Sequence, residues 1–367
     1  MKKIVLLDFS NIAHSKFHSI TKELKESNNK DPLCVERIQH WRYLMLDKIK
    51  ETMNKHKPHE LILCCDKPSW RKKAFPYYKA KRKQSRDQSV FDYQQFYEEI
   101  DRFLNDIDMI FPYKVLSANG AEADDIIGIL THTLKENNEI VIVSVDKDMV
   151  QLLDTNVRVW CPNKKAYQVC DDTERFLVEH ILKGDASDGI PNILCPDDTY
   201  IRESYKHTKG FINWMMKKTD IKDLDLEFDN DDSLIEYLQE NHSRVFGDTE
   251  DKYREEFEKE PIAKERATAC GARKINEILE YGLENYIKDN KLNRNYNRNK
   301  KLIQLDEATI PKKLWDYIMK RFDKIGDKKY NELKILQFIK RNKLRLTTRD
   351  IKMFRPEPYN GDISDIF

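Results

Sequence analysis

Nine carboxylates fall in five short clusters, most of them where an apolar run ends: Asp8 in IVLLDFSN, Asp66 in LILCCDKPSW, Glu122, Asp124 and Asp125 in GAEADDIIG, Asp146 and Asp148 in VIVSVDKDM, and Asp185 and Asp188 in LKGDASDGIP. In an open parallel sheet the strand C-termini converge on one crevice, where α/β proteins place ligands. Two unit charges ~4 Å apart repel by about 1 kcal/mol in water and by several times more near protein. Such a cluster must take up protons or cations. All-oxygen coordination suits Mg²⁺, with Mn²⁺ as a substitute, and a site for two such ions suits phosphodiester hydrolysis. Taken singly, each cluster also fits a turn or a helix cap. Repetition of one placement is what points to a site.

The elements that must position these acids are legible as alternating patterns. Residues 3–7 and 60–65 read as buried strands, separated by an amphipathic helix from about Leu33 to His56. A helix is expected at 92–107, a strand around Tyr113 to Leu116, a helix from Glu122 to about Lys135, then strands at IVIVSV and Val157–Cys161. Alternating β and α units with near-continuous apolar strands predict an α/β fold, a mostly parallel sheet with helices on both faces. Beyond a boundary near 165–185 only helix and loop are expected. The stretch between Cys195 and about Arg266 is acidic, notably DIKDLDLEFDNDD, and reads as an insertion or peripheral helical element. A basic, asparagine-rich piece follows at 291–301, then helices around Trp315 and Leu333, and a Pro- and Gly-containing end that reads as a flexible tail.

Composition sets outer limits. At 367 residues the chain suffices for one large or two modest domains. Its net charge is +1 although 35% of residues are charged, so the informative quantity is where each sign sits. Seven cysteines without a CxxC pair, two of them inside the apolar run at Cys64 and Cys65, point to buried thiols in a reducing compartment rather than to a disulfide framework or zinc site. With no signal-peptide pattern and no apolar run near ~18 residues, a soluble, cytoplasmic protein without membrane association is expected.

From Lys67 to Arg86 there is no acidic residue, while Lys67, Arg71, Lys72, Lys73, Lys79, Lys81, Arg82, Lys83 and Arg86 alternate with Trp70, Phe75, Tyr77 and Tyr78. Cations neutralise phosphates and aromatic faces stack on bases, so the segment suits a nucleic-acid strand. A solvated loop with core aromatics is the plainer alternative. The segment starts directly after Asp66, which favours the functional reading. Lys79 and Arg82, three residues apart on an expected helical segment, would share a face and offset charge developing on a scissile phosphate. Tyr78 would stack on a terminal base.

In this order, LLDFSN, CCDKPSWRKKAFPYYKAKRK, AEADDIIG, VSVDKDMVQLL and LKGDASDGIPN resemble the motifs of the flap endonuclease or 5′-nuclease superfamily, and within it the RNase H of T-even bacteriophages. The resemblance covers about residues 3–195, and more loosely ARKINEILEYGLENY and NRNKKLIQLDEATIP. It implies a PIN-like nuclease domain at 1–180 with a basic helical arch at 67–95. It further implies a helix–three-turn–helix duplex-binding region at 181–305, with an insertion at about 196–266, and C-terminal helices with a flexible tail at 306–367. The implied activity is 5′→3′ exonuclease and flap endonuclease cleavage of RNA primers and adjacent DNA in replication, with two divalent ions. Carried onto matching positions, Asp8, Asp66, Glu122, Asp124 and Asp146 would surround the first ion, and Asp125, Asp148, Asp185 and Asp188 would serve the second, largely through water. Lys79 and Arg82 match the family's arch cations and Tyr78 its stacking aromatic; Trp70, Arg71, Lys81, Lys83 and Arg86 would also contact nucleic acid.

One departure stands out: IPNILCPDDTY leads into the acidic insertion where relatives have a Gly-rich hairpin and a lysine-bearing helix. The expected remnant is CGARKINEILEYG, with Gly271, Arg273 and Lys274 at a helix start able to hold a duplex phosphate; an ordinary basic helix start is the alternative. Expected partners of a monomer are 5′-flap DNA, RNA–DNA hybrids, a sliding clamp docked by Ile363, Ile366 and Phe367, and a single-stranded-DNA-binding protein. The histidines lack metal-ligand spacing and receive no catalytic role. Two rivals share the acidic crevice: a PIN-type ribonuclease of single-stranded RNA, and a non-catalytic, metal-stabilised nucleic-acid scaffold.

Overall fold

A computed structural model describes residues 1–22, 33–80, 82, 93–200, 237 and 268–359. The apolar runs become strands β1 (Lys2–Asp8), β2 (Glu60–Cys65), β3 (Lys114–Ser117), β4 (Asn138–Val143) and β5 (Val157–Cys161), joined by a two-residue β6 (Ala166–Tyr167). Successive strand side chains point to opposite faces. Val5, Leu7, Leu61, Leu63, Val141 and Val143 therefore enter one core, and Ile4, Leu6, Ile62, Ile140 and Ile142 enter the other. Burial on both sides is why these strands show no polar alternation.

The sheet order is β3-β2-β1-β4-β5-β6, parallel throughout except for the antiparallel edge pair β5–β6. The chain leaves β1 for β2 on one side and places β4 on the other, so the β1/β4 tips form the topological switch point. Register aligns Asp8 with Cys64 and Leu7 with Val143. Asp8 thus ends level with the residues that lead into Asp66 and Asp146.

One face is covered by α1 (Phe9–Lys22), α2 (Val35–His56) and α4 (Tyr93–Ile110), whose Phe17, Trp41, Phe96 and Phe103 share one apolar cluster. The other face carries α5 (Ala123–Leu134) and a 3₁₀ turn at Lys147–Leu152. A short α3 (Arg71–Ala74) opens the basic segment, and α6 (Thr173–Lys183) leads to the DASDG loop. Next come α7 (Ala272–Tyr281), α8 (Leu283–Asp289), α9 (Asn293–Ile303), α10 (Lys312–Ile325), α11 (Glu332–Arg341) and α12 (Thr348–Lys352). These last helices reach back onto both sheet faces. Trp315 and Ile318 of α10 join the core under α5, while Ile335, Phe338 and Ile339 of α11 join the aromatic core on the opposite side.

Two elements depart from the sequence expectation. Helix α1 was not anticipated, because its polar composition hides a buried stripe of Phe9, Ile12, Ala13, Phe17 and Ile20 at helical spacing. The β6 strand lies where only helix and loop were expected; two residues are too few to leave a periodic signal. All seven cysteines are free thiols, five of them buried. No helix of the described residues is long and apolar enough to cross a membrane. Most of the 196–266 insertion, Lys81, Lys83, Arg86 and the terminal Ile363, Ile366 and Phe367 lie outside the described residues.

Candidate active site

The strand tips are tied together by short side-chain bridges. Asp8 is 3% exposed; its Oδ2 accepts from Ser144 Oγ at 2.7 Å and its Oδ1 from the Asn11 N–H at 3.2 Å. Ser144 Oγ also accepts from the Asp146 N–H at 3.0 Å, and Asp146 Oδ1 accepts from the Asp148 N–H at 2.9 Å. On the other side the Asp66 N–H donates to Ser10 Oγ at 2.8 Å, and Asp66 Oδ1 accepts from the Ala123 N–H at 2.7 Å. That N–H is one of the donors a helix start leaves without an internal partner. Asp124 follows it, and among the described residues no hydrogen bond or ion pair reaches its carboxylate.

Little offsets the negative charge here. Burial raises the Asp8 pKa to about 7, with Asp66 adding to the effect and the Ser144 hydrogen bond opposing it. Burial likewise raises Asp148 to about 7, reinforced by Asp146. Asp124 is driven well above the usual carboxylate range by burial, then by Asp146 and Asp8. Carboxylates that resist ionisation at neutral pH fit the electrostatics of a divalent-ion pocket awaiting positive charge.

A few residues away the same edge is neutralised. Arg71, 2% exposed, reaches Glu122 Oε2 at 3.2 Å and Asp125 Oδ1 at 2.9 Å, and its Nε donates to the Leu302 carbonyl at 2.8 Å. Glu122 also accepts from Ser69 Oγ at 2.7 Å, Tyr78 OH at 2.8 Å and Lys79 Nζ at 2.5 Å. Burial opposes its ionisation, but Lys79 and Arg71 overcome this and hold its pKa at about 2. Asp125, fully buried, accepts from Arg71, Trp70 Nε1 and the Glu122 N–H.

The basic segment is pinned to the DASDG loop. The Lys79 N–H donates to the Asp188 carbonyl at 2.7 Å, Lys79 Nζ lies 3.4 Å from Asp188 Oδ2, and Arg82 Nη2 lies 2.7 Å from Asp188 Oδ1. Two glycines permit the fit. Gly184 has φ +67 and a Cβ there would meet the Ile190 carbonyl at 2.4 Å; Gly189 has φ +74 and its Cβ would meet the Tyr77 carbonyl at 2.8 Å. From behind, α9 clamps the loop: Asn299, fully buried, donates to the Ile181 and Pro191 carbonyls, both at 2.8 Å, and Asn295 donates to the Ile193 carbonyl at 2.8 Å. These carbonyl contacts explain a helix rich in asparagine, a residue of modest helix propensity.

Asp8, Asp66, Asp124, Asp146, Asp148, Asp185 and Asp188 thus meet at one edge with Lys79, while Glu122 and Asp125 are held by cations behind them. Lys79 and Arg82 do not share a helical segment: Lys79 is left-handed at φ +55, because its carbonyl-facing turn docks onto Asp188. Tyr78 is 3% exposed, with its hydroxyl 2.9 Å from Asp188 Oδ2, so its ring lies under the crevice in this structure. Trp70 is half-buried, and its indole N–H serves Asp125. Arg273 and Lys274 sit exposed or half-buried at the α7 start, Lys274 paired with Glu277 at 2.6 Å. Sequence reasoning missed Ser10 and Ser144, which orient backbone and acids, and His180, which lies between Asp148 and Asp185. Ser144 stands two residues before Asp146, a detectable but weak signal.

Residues 3–180 match the family model described as 5′-3′ exonuclease, N-terminal resolvase-like domain. Ribonuclease H of Enterobacteria phage T4 is 29% identical over 205 residues, 53% of this chain and 64% of that protein. A 5′-3′ exonuclease of Buchnera aphidicola subsp. Schizaphis graminum is 31% identical over 163 residues, 41% of this chain and 54% of that protein. The chain therefore spans under two thirds of the length of these curated relatives. Among solved structures, a bacteriophage T5 flap endonuclease crystallised with DNA and metal ions aligns with a TM-score of 0.48 at 16% identity, covering 88% of this chain and 99% of that one. The motif order and the parallel sheet with its acidic edge agree with the family match: residues 3–180 are similar to the N-terminal resolvase-like domain of 5′-3′ exonucleases.

Proposed function

We propose that the chain is a divalent-metal-dependent 5′-nuclease that hydrolyses phosphodiesters near 5′ ends, as a 5′→3′ exonuclease and flap endonuclease acting on RNA primers and adjacent DNA. The observation that carries this reading is the crowding of Asp8, Asp124 and Asp148, each with a raised pKa, beside Lys79 and Arg82. Asp8, Asp66, Asp124 and Asp146 would hold one Mg²⁺ and Asp148, Asp185 and Asp188 a second, with Mn²⁺ as a substitute. Such ions, when bound, lower the pKa of water and neutralise charge on the phosphate.

The chain's own groups do the rest. Lys79 lies against Glu122 and Asp188, which keep it protonated and aimed at the crevice, where it would offset charge on the leaving oxygen. Arg82 would grip the adjacent phosphate, and the remaining cations of the 67–95 arch would steer the 5′ strand. Glu122 and Asp125 would act indirectly, by fixing Arg71 and Lys79. The α7 start, with Gly271, Arg273 and Lys274, would hold the duplex behind the cut. Residues 360–367 would dock on a sliding clamp.

Cleavage of 5′-flap DNA, an RNA–DNA hybrid and unstructured RNA, each with Mg²⁺ and with chelator, tests the reading. Mg²⁺-dependent release of 5′-phosphate products from flap and hybrid is expected. Preference for unstructured RNA would replace it with a single-strand ribonuclease, and binding without hydrolysis would leave a scaffold.

A further inference from the structure

His180 is a buried titratable group that the mechanism above leaves without a task. It stands in the last turn of α6, 6% exposed, with Nδ1 3.6 Å from Asp148 Oδ1 and Nε2 3.5 Å from Asp185 Oδ2. Neither ring nitrogen has a hydrogen-bond partner, and neither does Asp148 Oδ1. A buried polar group left unpaired is costly, so Asp148 Oδ1 and the ring nitrogens beside it call for a partner. Donor atoms of Asp148, His180 and Asp185 all lie within 4.8 Å of one another. The cation facing Asp185 is Lys147, at 3.5 Å with a side chain 65% exposed, which leaves the inner side of the trio uncompensated.

Two species could sit comfortably there: an imidazolium bridging the two carboxylates, or a metal ion. Geometry separates them. Charge-assisted N–H···O bonds close to about 2.7–2.9 Å, well below the 3.5 and 3.6 Å found here. An ion takes one nitrogen of an imidazole with one oxygen of each acid, and such donor atoms of Asp148, His180 and Asp185 lie within 4.8 Å of one another, close to the roughly 4 Å that separates trans ligands of an ion bound at about 2.1 Å.

We infer that His180 is a nitrogen ligand of the ion held by Asp148 and Asp185, making this half of the centre a mixed nitrogen–oxygen site that prefers Mn²⁺, Co²⁺ or Zn²⁺ over Mg²⁺. Imidazole suits later first-row ions, whereas carboxylate and water suit Mg²⁺. The crevice then contains two unlike sites, an all-oxygen one at Asp8, Asp124 and Asp146 and a nitrogen-bearing one at its α6 side. The inference rests on the metal-dependent reading of the crevice and assigns it a ligand of a second chemical type.

The test is metal binding by the full chain without nucleic acid. Titrating metal-free protein with Mn²⁺ should show two ions bound. His180→Gln should keep one and weaken the other by roughly 10- to 100-fold, with Mg²⁺ binding changed far less. His180→Lys supplies a cation in place of a ligand and should lose that ion, along with its Co²⁺ visible absorption. Protein labelled with ¹⁵N-histidine needs no substitution: Zn²⁺ should shift one imidazole nitrogen strongly. Equal Mn²⁺ affinities in wild type and His180→Gln, full Co²⁺ absorption in His180→Lys, or no shifted imidazole would overturn the inference while leaving the nuclease reading intact. A wild-type chain that takes up no ion at all would overturn both.

Discussion

Two halves of one acidic edge carry the same residue types and reach opposite electrostatic states. Around Glu122 and Asp125, Arg71 and Lys79 approach to between 2.5 and 3.2 Å, and Glu122 is held at about 2. Around Asp8, Asp124 and Asp148 the partners are a serine hydroxyl, a backbone N–H, the His180 ring and other acids, with no Arg or Lys in contact among the described residues, and two of the three sit near 7. The contrast separates carboxylates whose charge the fold compensates from carboxylates it leaves without a cation. Acid count alone would not distinguish them; the position of the buried guanidinium does.

The sharpest break between the halves is catalytic. Asp146→Asn should reduce flap cleavage by more than about 100-fold while flap binding, read by fluorescence anisotropy, changes little. Near-normal Mg²⁺-dependent turnover would remove Asp146 from the ion-holding half. Next in size is a loss of stability on the neutralised side. Arg71→Leu leaves Glu122 and Asp125 buried without their cation and should cost about 3–5 kcal/mol in urea unfolding. Asp124→Asn should do the reverse and raise the melting temperature of metal-free protein, since it removes a carboxyl whose ionisation burial and the neighbouring acids disfavour. If both substitutions destabilised equally, the two halves would not differ in kind.

A smaller effect is expected from pH. Asp8 and Asp148 rise from 3.8 to about 7 on folding, so between those values the folded chain binds more protons than the unfolded one. Their contribution to stability is fully present below pH 3.8 and lost as pH climbs through 7. Mg²⁺ should therefore raise the melting temperature more at pH 8 than at pH 5.5. His56 acts oppositely: burial and Lys55 lower it to about 4, so its contribution is present above pH 6.5 and lost on acidification. Because that loss occurs with or without Mg²⁺, it cancels in the difference. An equal Mg²⁺ effect at both pH values would count against ions entering at Asp8 and Asp148.

Much of this architecture was legible beforehand. Strands buried on both faces leave continuous apolar runs, and the acids that follow them mark the edge where ligands gather. The amphipathic patterns of α2, α4 and α5 also placed those helices within a few residues. Helix α1 escaped because its apolar stripe is diluted by serine, histidine and lysine, and the asparagines of α9 read as a polar piece until their carbonyl partners were seen.

The sequence by itself determined the sheet, the ordered acidic clusters and a basic segment starting beside Asp66, because periodicity and local charge are properties of neighbouring residues. Only the tertiary structure decided which acids are paired. Arg71 meets Glu122 and Asp125 across more than fifty positions, and His180 meets Asp148 across thirty-two. Coulomb energy depends on distance and dielectric, and both are set by the folded chain rather than by spacing along it.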